Sequence, residues 1–232
     1  MKTKKKILVI IGTRPEAIKM FPLINILSKS YNLDLCLTGQ HRELLDQVIQ
    51  LFCLKPKYNL RIMKSNQTLS GISEIILKKI ERVIKQAKPN LILVHGDTTT
   101  TFISALAAFY HKIRIGHIES GLRTNKIYSP FPEEANRQLI SRITDLHFSP
   151  TDLSKKNLIK ENILKKNIFV VGNTAIDTLF HTLKNIKKNF KEIDFIKRMP
   201  FIKSCSGKKI ILVTGHRREN FGNGFKNICE AL

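Results

Sequence analysis

The sequence predicts a doubly wound, mostly parallel α/β fold, and two observations carry this prediction. Short apolar runs rich in Ile, Leu and Val recur along the chain, as buried parallel strands require. Longer segments with helical spacing of apolar residues separate these runs, which is the alternation of βαβ units. The chain has 232 residues, of which 42% are hydrophobic and 25% are charged. This balance is typical of a globular protein with a substantial core.

The strands are predicted from apolar runs that end at a glycine or a polar residue. The first such run, ILVII, stops at Gly12, and its lack of polar positions indicates burial on both faces. The predicted strands are residues 7–11, 33–37, 91–94, 113–118, 146–148, 168–171 and 209–213.

The helices are predicted from apolar residues spaced three and four apart. One of them begins at Pro132, where the missing N–H of proline does no harm to a first helical turn. Residues 121–129 are predicted as a loop and residues 189–207 as an irregular connection. The predicted helices are residues 22–28, 41–52, 69–86, 101–110, 132–143, 151–161, 174–183 and 225–232.

The pattern changes near Gly172, where we predict a domain boundary. Residues 1–172 contain six predicted strands with covering helices and are predicted to form an N-terminal Rossmann-like domain. Residues 173–232 contain one predicted strand, at 209–213, and are predicted to begin a second Rossmann-like domain that is incomplete.

The formal net charge of +22 raises the question of nucleic-acid binding. The lysines are scattered along the whole chain, often beside Asn and Ile, as on solvated helix faces. Zinc-finger spacing, aromatic RNA-binding runs and basic zippers are absent from the sequence. We therefore expect no nucleic-acid partner.

The cysteines and the N-terminus bear on location. Cys36, Cys53, Cys205 and Cys229 form no C-x-x-C pair, which argues against a metal or redox motif and fits a reducing cytoplasm. The lysine-rich N-terminus resembles a signal peptide, but its apolar run is too short. No apolar stretch is long enough to span a bilayer, so we expect no membrane insertion.

Clusters of polar residues follow several of the predicted strands. In open α/β sheets, ligands bind outside the carboxyl ends of the strands, so these clusters are the candidate site. They are GTRPEAIK at 12–19, HGDTTT at 95–100, ESGLR at 119–123 and TGHRREN at 214–220, and a fifth, PFPEEANR at 130–137, opens a helix.

Each candidate residue also has a purely structural interpretation. Asp97 could cap the following helix, Glu133 could complement a helix dipole, and Arg14 and His216 could be ordinary surface or loop residues. Glu119 differs, because an acid directly after an apolar strand and before Ser-Gly rarely serves packing alone. The convergence of several clusters on one sheet edge favours function over these separate interpretations.

Generic phosphate-binding motifs are missing from the sequence. It contains neither G-x-x-x-x-G-K-[ST] nor G-x-G-x-x-G, which disfavours a P-loop NTPase or a nicotinamide enzyme. Basic residues at strand ends can still hold a diphosphate, as Arg14, Lys19 and His216 would.

Taken together, the clusters resemble those of the bacterial non-hydrolysing UDP-N-acetylglucosamine 2-epimerases, in order and in spacing. The resemblance covers the whole chain. The motifs that carry it are GTRPEAIKM at 12–20, HGDTTTT at 95–101, GHIESGLRT at 116–124, SPFPEEANR at 129–137, GNTAID at 172–177 and VTGHRRENFG at 213–222.

This resemblance implies a glycosyltransferase-B-like two-domain fold whose active site lies in the cleft between the domains. It implies the interconversion of UDP-N-acetylglucosamine and UDP-N-acetylmannosamine, which supplies ManNAc for cell-surface polysaccharide. The C2 proton lies next to no carbonyl, so simple deprotonation is unfavourable. The family instead eliminates UDP to give 2-acetamidoglucal and adds UDP back after protonation of the opposite face, which needs carboxylates and cations.

The resemblance also assigns roles by position. The catalytic residues it implies are Asp97, Glu119, Glu133 and His216. The substrate-binding residues it implies are Arg14, Lys19, Arg137, Asn173 and Arg217. It implies a homodimer and requires neither a metal nor another cofactor, and it leaves open which carboxylate acts in elimination and which in re-addition.

The sequence departs from the family at its C-terminus, since family members continue past residue 232. We therefore expect the 232-residue chain alone to be inactive. The alternatives to an active epimerase are a truncated, catalytically dead remnant and a relative of the same architecture, either a hydrolysing epimerase or a glycosyltransferase.

Overall fold

The computed structural model describes residues 4–39, 42–63, 67–189, 204–205, 207–211, 213 and 222–232. The chain divides into two compact units, Met1–Leu183 and Lys184–Leu232. The first half of the helix that follows Gly172 thus belongs to the first unit.

A seven-stranded sheet forms the centre of the first unit, in the order β3-β2-β1-β4-β5-β6-β7. All neighbouring strands are parallel, which confirms the predicted α/β fold. The short β3 was not predicted, because two residues carry no periodic signal. The strands are β1 (Lys6–Ile11), β2 (Asn32–Leu37), β3 (Tyr58–Asn59), β4 (Leu91–His95), β5 (Arg114–Ile118), β6 (Leu146–Ser149) and β7 (Ile168–Val170).

Helices connect successive strands, and a 3-10 turn at Lys165–Asn167 precedes β7. The described helices are α1 (Arg14–Ser30), α2 (Arg42–Leu51), α3 (Leu69–Ala87), α4 (Thr99–Tyr110), α5 (Glu133–Ile143), α6 (Asp152–Lys160), α7 (Thr174–Asn189) and α8 (Asn223–Glu230).

Helix α1 begins eight residues before the start predicted at residue 22, so that prediction is wrong. The sequence Thr-Arg-Pro-Glu after Gly12 is itself a helix start. Thr13 N donates to the Glu16 carboxylate at 3.2 Å, as the acid of a capping box does, and Pro15 suits a first turn. The cluster at 12–19 is therefore mostly helical, and its side chains are fixed by helix geometry.

Pro22 lies inside α1 and lacks the N–H that would bond the carbonyl four residues earlier, at Ile18. The hydroxyl of Thr178 in α7 donates to that Ile18 carbonyl at 2.7 Å. Thr178 is only 3% exposed, so the contact is an internal one. It replaces the lost helical bond and ties the start of α7 to α1.

Apolar side chains alternate along β1 between the two faces of the sheet. Leu8 and Ile10 pack into a cluster that includes residues of α3 and α4. Ile7, Val9 and Ile11 pack into a second cluster with residues of α1 and α2. Burial on both faces is the reason why β1 is apolar at every position after Lys6.

The second unit departs from the prediction of a strand at residues 209–213. The described residues 209–211 and 213 adopt no strand. A parallel strand needs a neighbour for its backbone groups, and the described part of this unit offers no other strand. Of the helices described in either unit, none combines the length and apolar character that crossing a bilayer requires.

Candidate active site

A cleft of about 360 Å³ lies at the carboxyl ends of β1, β4 and β5. The strand order reverses between β1 and β4, and this switch point is where doubly wound sheets bind ligands. The residue after β1 and the first turn of α4 approach closely there, since a Cβ at Gly12 would overlap the Thr100 side chain. The lining residues are Thr13, Pro15, Glu16, Lys19, His95, Gly96, Asp97, Thr98, Glu119, Leu122 and Arg137.

Glu119 is the centre of the cleft's polar contacts. Lys19 Nζ, from the second turn of α1, lies 2.8 Å from Glu119 Oε1 and 2.5 Å from Oε2. His95, the last residue of β4, places Nε2 at 2.9 Å from Oε2. The structure thus brings together two residues that were predicted from the sequence, Lys19 and Glu119. It adds His95, which was not predicted as a site residue.

The surroundings of Glu119 keep its carboxyl ionised. Burial alone would raise its pKa, but the hydrogen bonds and charges of His95 and Lys19 outweigh burial and lower the pKa from 4.5 to about 2. At neutral pH the group is therefore an acceptor of protons and not a donor.

The backbone of Glu119 adopts φ 65°, in the left-handed region that non-glycine residues seldom occupy. The next residue holds this turn in place. Ser120 N donates to Phe148 O at 3.0 Å, and Ser120 Oγ lies 3.0 Å from His147 Nδ1. Strained backbone of this kind concentrates at functional sites.

A second carboxylate, Asp97, lines the cleft beside Arg137 of α5. Arg137 Nε and one terminal nitrogen lie 2.8 Å and 2.7 Å from Asp97 Oδ2. The other terminal nitrogen of Arg137 lies 3.0 Å from Oε2 of the fully buried Glu134. Arg137 thus joins the predicted catalytic Asp97 to the buried Glu134. Asp97 does not cap α4, because Thr98 is the residue that does so.

Glu16 is a third acid of the cleft, which the sequence analysis did not single out. It is 3% exposed and accepts hydrogen bonds from Gly12 N at 2.6 Å and from Thr98 Oγ1 at 2.7 Å. Burial raises its pKa, against the lowering effect of these bonds. Its position three residues after Thr13 is the capping signal that could have revealed it.

Two further buried histidines support the loops around the cleft. His117 Nε2 donates to Gly96 O at 2.7 Å, and burial lowers the His117 pKa to about 3. Burial also lowers the pKa of His147, the partner of Ser120, to about 4. Both rings are therefore neutral at physiological pH.

Three predicted residues of the described part lie outside the cleft lining. Arg14 is exposed in the first turn of α1. Glu133 is half-buried at the start of α5, and its side chain makes no hydrogen bond or ion pair with the other described residues. Asn173 Oδ1 accepts a hydrogen bond from Ala175 N at 2.9 Å, which is a capping contact for α7. The predicted residues His216 and Arg217 lie outside the described residues.

The cleft offers an ammonium group, a guanidinium group and several carboxylates. This set suits the binding of an anion and the transfer of protons. Within the described residues, no group of three or more His, Cys, Asp or Glu side chains is placed to hold a metal ion.

The family model described as UDP-N-acetylglucosamine 2-epimerase matches residues 26–232. The chain belongs to this family. The Campylobacter jejuni protein named UDP-N-acetylglucosamine 2-epimerase is 53% identical over 98% of this chain. The Escherichia coli K12 protein of the same name is 49% identical, also over 98%.

Solved structures of family members share the fold. A crystal structure of UDP-GlcNAc 2-epimerase from Neisseria meningitidis, bound to UDP-GlcNAc, matches with a TM-score of 0.90 and 49% identity. It covers 97% of this chain and 62% of that chain. The chain spans 61% of the length of the C. jejuni and E. coli relatives.

Proposed function

We propose that the protein containing this chain interconverts UDP-N-acetylglucosamine and UDP-N-acetylmannosamine, and so supplies ManNAc for cell-surface polysaccharide. The observation that carries this proposal is the convergence of Lys19 and His95 on the ionised Glu119, in a cleft at the switch point of the sheet. Family membership and the UDP-GlcNAc bound by the Neisseria relative support it.

The reaction proceeds by elimination and re-addition. A carboxylate takes the proton from C2 of the sugar, the electrons of the C2–H bond form the C1–C2 double bond, and UDP leaves C1 with the electron pair of the C–O bond. The resulting 2-acetamidoglucal is then protonated at C2 on the opposite face, and UDP returns to C1. Such proton transfers need positioned carboxylates whose environments differ.

Within this scheme the proposed functional residues divide into two groups. Asp97, Glu119 and Glu133 supply the proton-transfer groups, with Arg137 orienting Asp97. The ammonium of Lys19 stabilises the departing diphosphate, and the exposed Arg14 provides a guanidinium fork for the same anion.

The remaining assignments extend beyond the described site. We propose that His216 acts as a catalytic residue and that Asn173 and Arg217 contact substrate. Residues 1–172 then form the catalytic domain, and residues 173–232 contribute to a second, UDP-binding domain. Cys36, Cys53 and Cys229 are free, which suits a reducing compartment, and we propose a cytoplasmic homodimer.

The test is an NMR assay of UDP-GlcNAc in D₂O with the full-length natural protein. Elimination and re-addition require deuterium at C2 of both UDP-sugars. They also require that ¹⁸O placed in the bridge between C1 and the β-phosphorus scrambles into the non-bridging positions. Epimerisation that retains the C2 hydrogen and the bridging ¹⁸O would refute the mechanism.

The products separate the alternatives. Release of free ManNAc and UDP would indicate a hydrolysing relative, and transfer of the sugar to an added acceptor would indicate a glycosyltransferase. Glu133→Gln in the same assay examines the one predicted catalytic carboxylate that does not line the described cleft, and we expect turnover to fall by roughly 10²-fold.

A further inference from the structure

The two nitrogen partners of Glu119 differ in their accessibility. The Lys19 side chain is 26% exposed and lines the cleft. The His95 side chain is only 4% exposed. An anion that enters the cleft can therefore compete with Glu119 for the Lys19 ammonium, but it cannot displace His95 in the same way.

The contact between His95 and Glu119 is also well defined. An ionised carboxylate only accepts hydrogen bonds, so Nε2 of His95 carries the proton that is shared with Oε2. Nδ1 of the ring is buried and has no hydrogen-bond partner among the described residues. The His95 carbonyl accepts a hydrogen bond from Thr101 Oγ1 at 2.6 Å, which fixes the backbone from which the ring projects.

Register places the two residues side by side. His95 of β4 pairs with Ile118 of β5, and Glu119 directly follows Ile118 at the left-handed turn. Because His95 ends β4 and Glu119 directly follows β5, two paired strands fix the backbone positions of both residues. The Lys19 contact instead depends on the conformation of a long side chain.

We propose that His95 is a positioning residue, which holds the Glu119 carboxylate in place when the Lys19 ammonium changes partner from Glu119 to the diphosphate of a nucleotide sugar. The identity of that ligand rests on the proposed function, whereas the contact itself does not.

This arrangement couples substrate binding to the basicity of Glu119. When the ammonium moves to the diphosphate, Glu119 loses one of the two groups that favour its charged form, and its affinity for a proton rises. Burial also raises the Glu119 pKa, and without Lys19 only His95 remains to lower it. His95 keeps Oε2 fixed during this change and leaves Oε1 for the sugar proton.

The experiment measures the Glu119 pKa directly, by ¹³C NMR of the 232-residue chain labelled at glutamate and assigned with Glu119→Gln. The titrations use a Lys19→Met background, which reproduces the state without the ammonium. His95→Leu should raise the Glu119 pKa further, by roughly one unit, because a hydrogen bond to the charged form is lost. His95→Gln, whose amide can still donate, should restore most of the difference.

His117→Gln is the matched control. His117 is a buried histidine on the next strand whose ring is hydrogen-bonded to the Gly96 carbonyl. It is not among the groups that lower the Glu119 pKa, and its replacement should leave that pKa unchanged. If His95→Leu leaves that pKa unchanged, or if His95→Leu and His95→Gln shift it equally, the positioning role is refuted. Should His95→Leu fail to fold, ¹⁵N NMR of the unaltered chain decides, because an Nε2 without a proton would refute the role.

Kinetics of the full-length natural protein provide the second measurement. His95→Leu should lower kcat by at least tenfold while changing KM little, and His95→Gln should recover most of kcat. A chain in which His95→Leu shifts the Glu119 pKa but UDP-GlcNAc is not converted would refute the proposed function and support the positioning role.

Discussion

The two buried histidines behind the cleft make the stability of this fold depend on pH. The His117 pKa is lowered from 6.5 to about 3 and the His147 pKa to about 4. Below pH 6.5 these two histidines therefore bind protons in the unfolded chain but remain neutral in the folded chain. The stabilisation by each neutral ring is complete above pH 6.5 and is lost progressively as the pH falls towards the folded pKa.

The size of this loss follows from the linkage relation. One pKa unit corresponds to about 1.36 kcal/mol, so each histidine costs about 2 kcal/mol of folding stability between pH 7 and pH 5. The pair costs about 4 kcal/mol, a large share of the roughly 5–15 kcal/mol that stabilises a typical domain. Glu119 changes little in this window, because its folded and unfolded pKa values lie below it.

The assay is urea denaturation, followed by circular dichroism at pH 7, 6 and 5. His117→Gln keeps a donor for the Gly96 carbonyl and cannot titrate, and His147→Asn keeps a polar atom near Ser120 Oγ. Each variant should lose about 2 kcal/mol less than the unaltered chain between pH 7 and pH 5. The raised pKa of Glu16 changes the pH dependence of stability in the opposite direction, but it does so equally in the variants and in the unaltered chain. The difference between a variant and the unaltered chain therefore reports the replaced histidine alone. Parallel pH profiles would refute the reasoning.

The remaining predictions concern the charged residues. In the full-length natural protein, Glu119→Gln and Asp97→Asn should each lower turnover by roughly 10²-fold or more, as loss of a general acid or base does, whereas near-normal rates in the NMR assay would remove that residue from the mechanism. Arg14→Ala should lower kcat/KM for UDP-GlcNAc, because a small apolar side chain cannot replace a guanidinium on a diphosphate, and unchanged kinetics would contradict its role. The Arg123 side chain is 1% exposed and forms an ion pair with Glu161, so Arg123→Met should lower the free energy of unfolding by about 3 kcal/mol. The control, Lys78→Met, removes an exposed ion pair and should leave the urea denaturation curve unchanged.

The sequence predicted the sheet well, because six strands of the first unit are mostly apolar runs with clear ends. It missed β3, since a two-residue strand has no periodicity, and it started α1 too late. That error came from overlooking Thr13 and Glu16, which form a helix-start pair. The strand predicted at 209–213 was wrong at the described positions, because an apolar run alone does not supply a pairing partner.

The candidate site was predictable in its position but not in its contacts. The polar clusters that follow predicted strands indicated Lys19, Asp97 and Glu119, and the structure places all three in one cleft. The sequence could not show that His95 meets Glu119, because that contact depends on the register of β4 against β5. Nor could it show that Arg137 meets Asp97, because that contact depends on where α5 crosses the sheet.

The proline within α1 has a consequence for how motion spreads through the first unit. Pro22 leaves the Ile18 carbonyl without its helical donor, and the Thr178 hydroxyl of α7 occupies the vacancy. A local defect of one helix thus serves as the docking point of another. Ile18 directly precedes Lys19 in the chain, so a displacement of α7 pulls on the same peptide unit from which the ammonium group projects. The contact between Lys19 and Glu119 is in this way sensitive to a helix that lies outside the cleft lining.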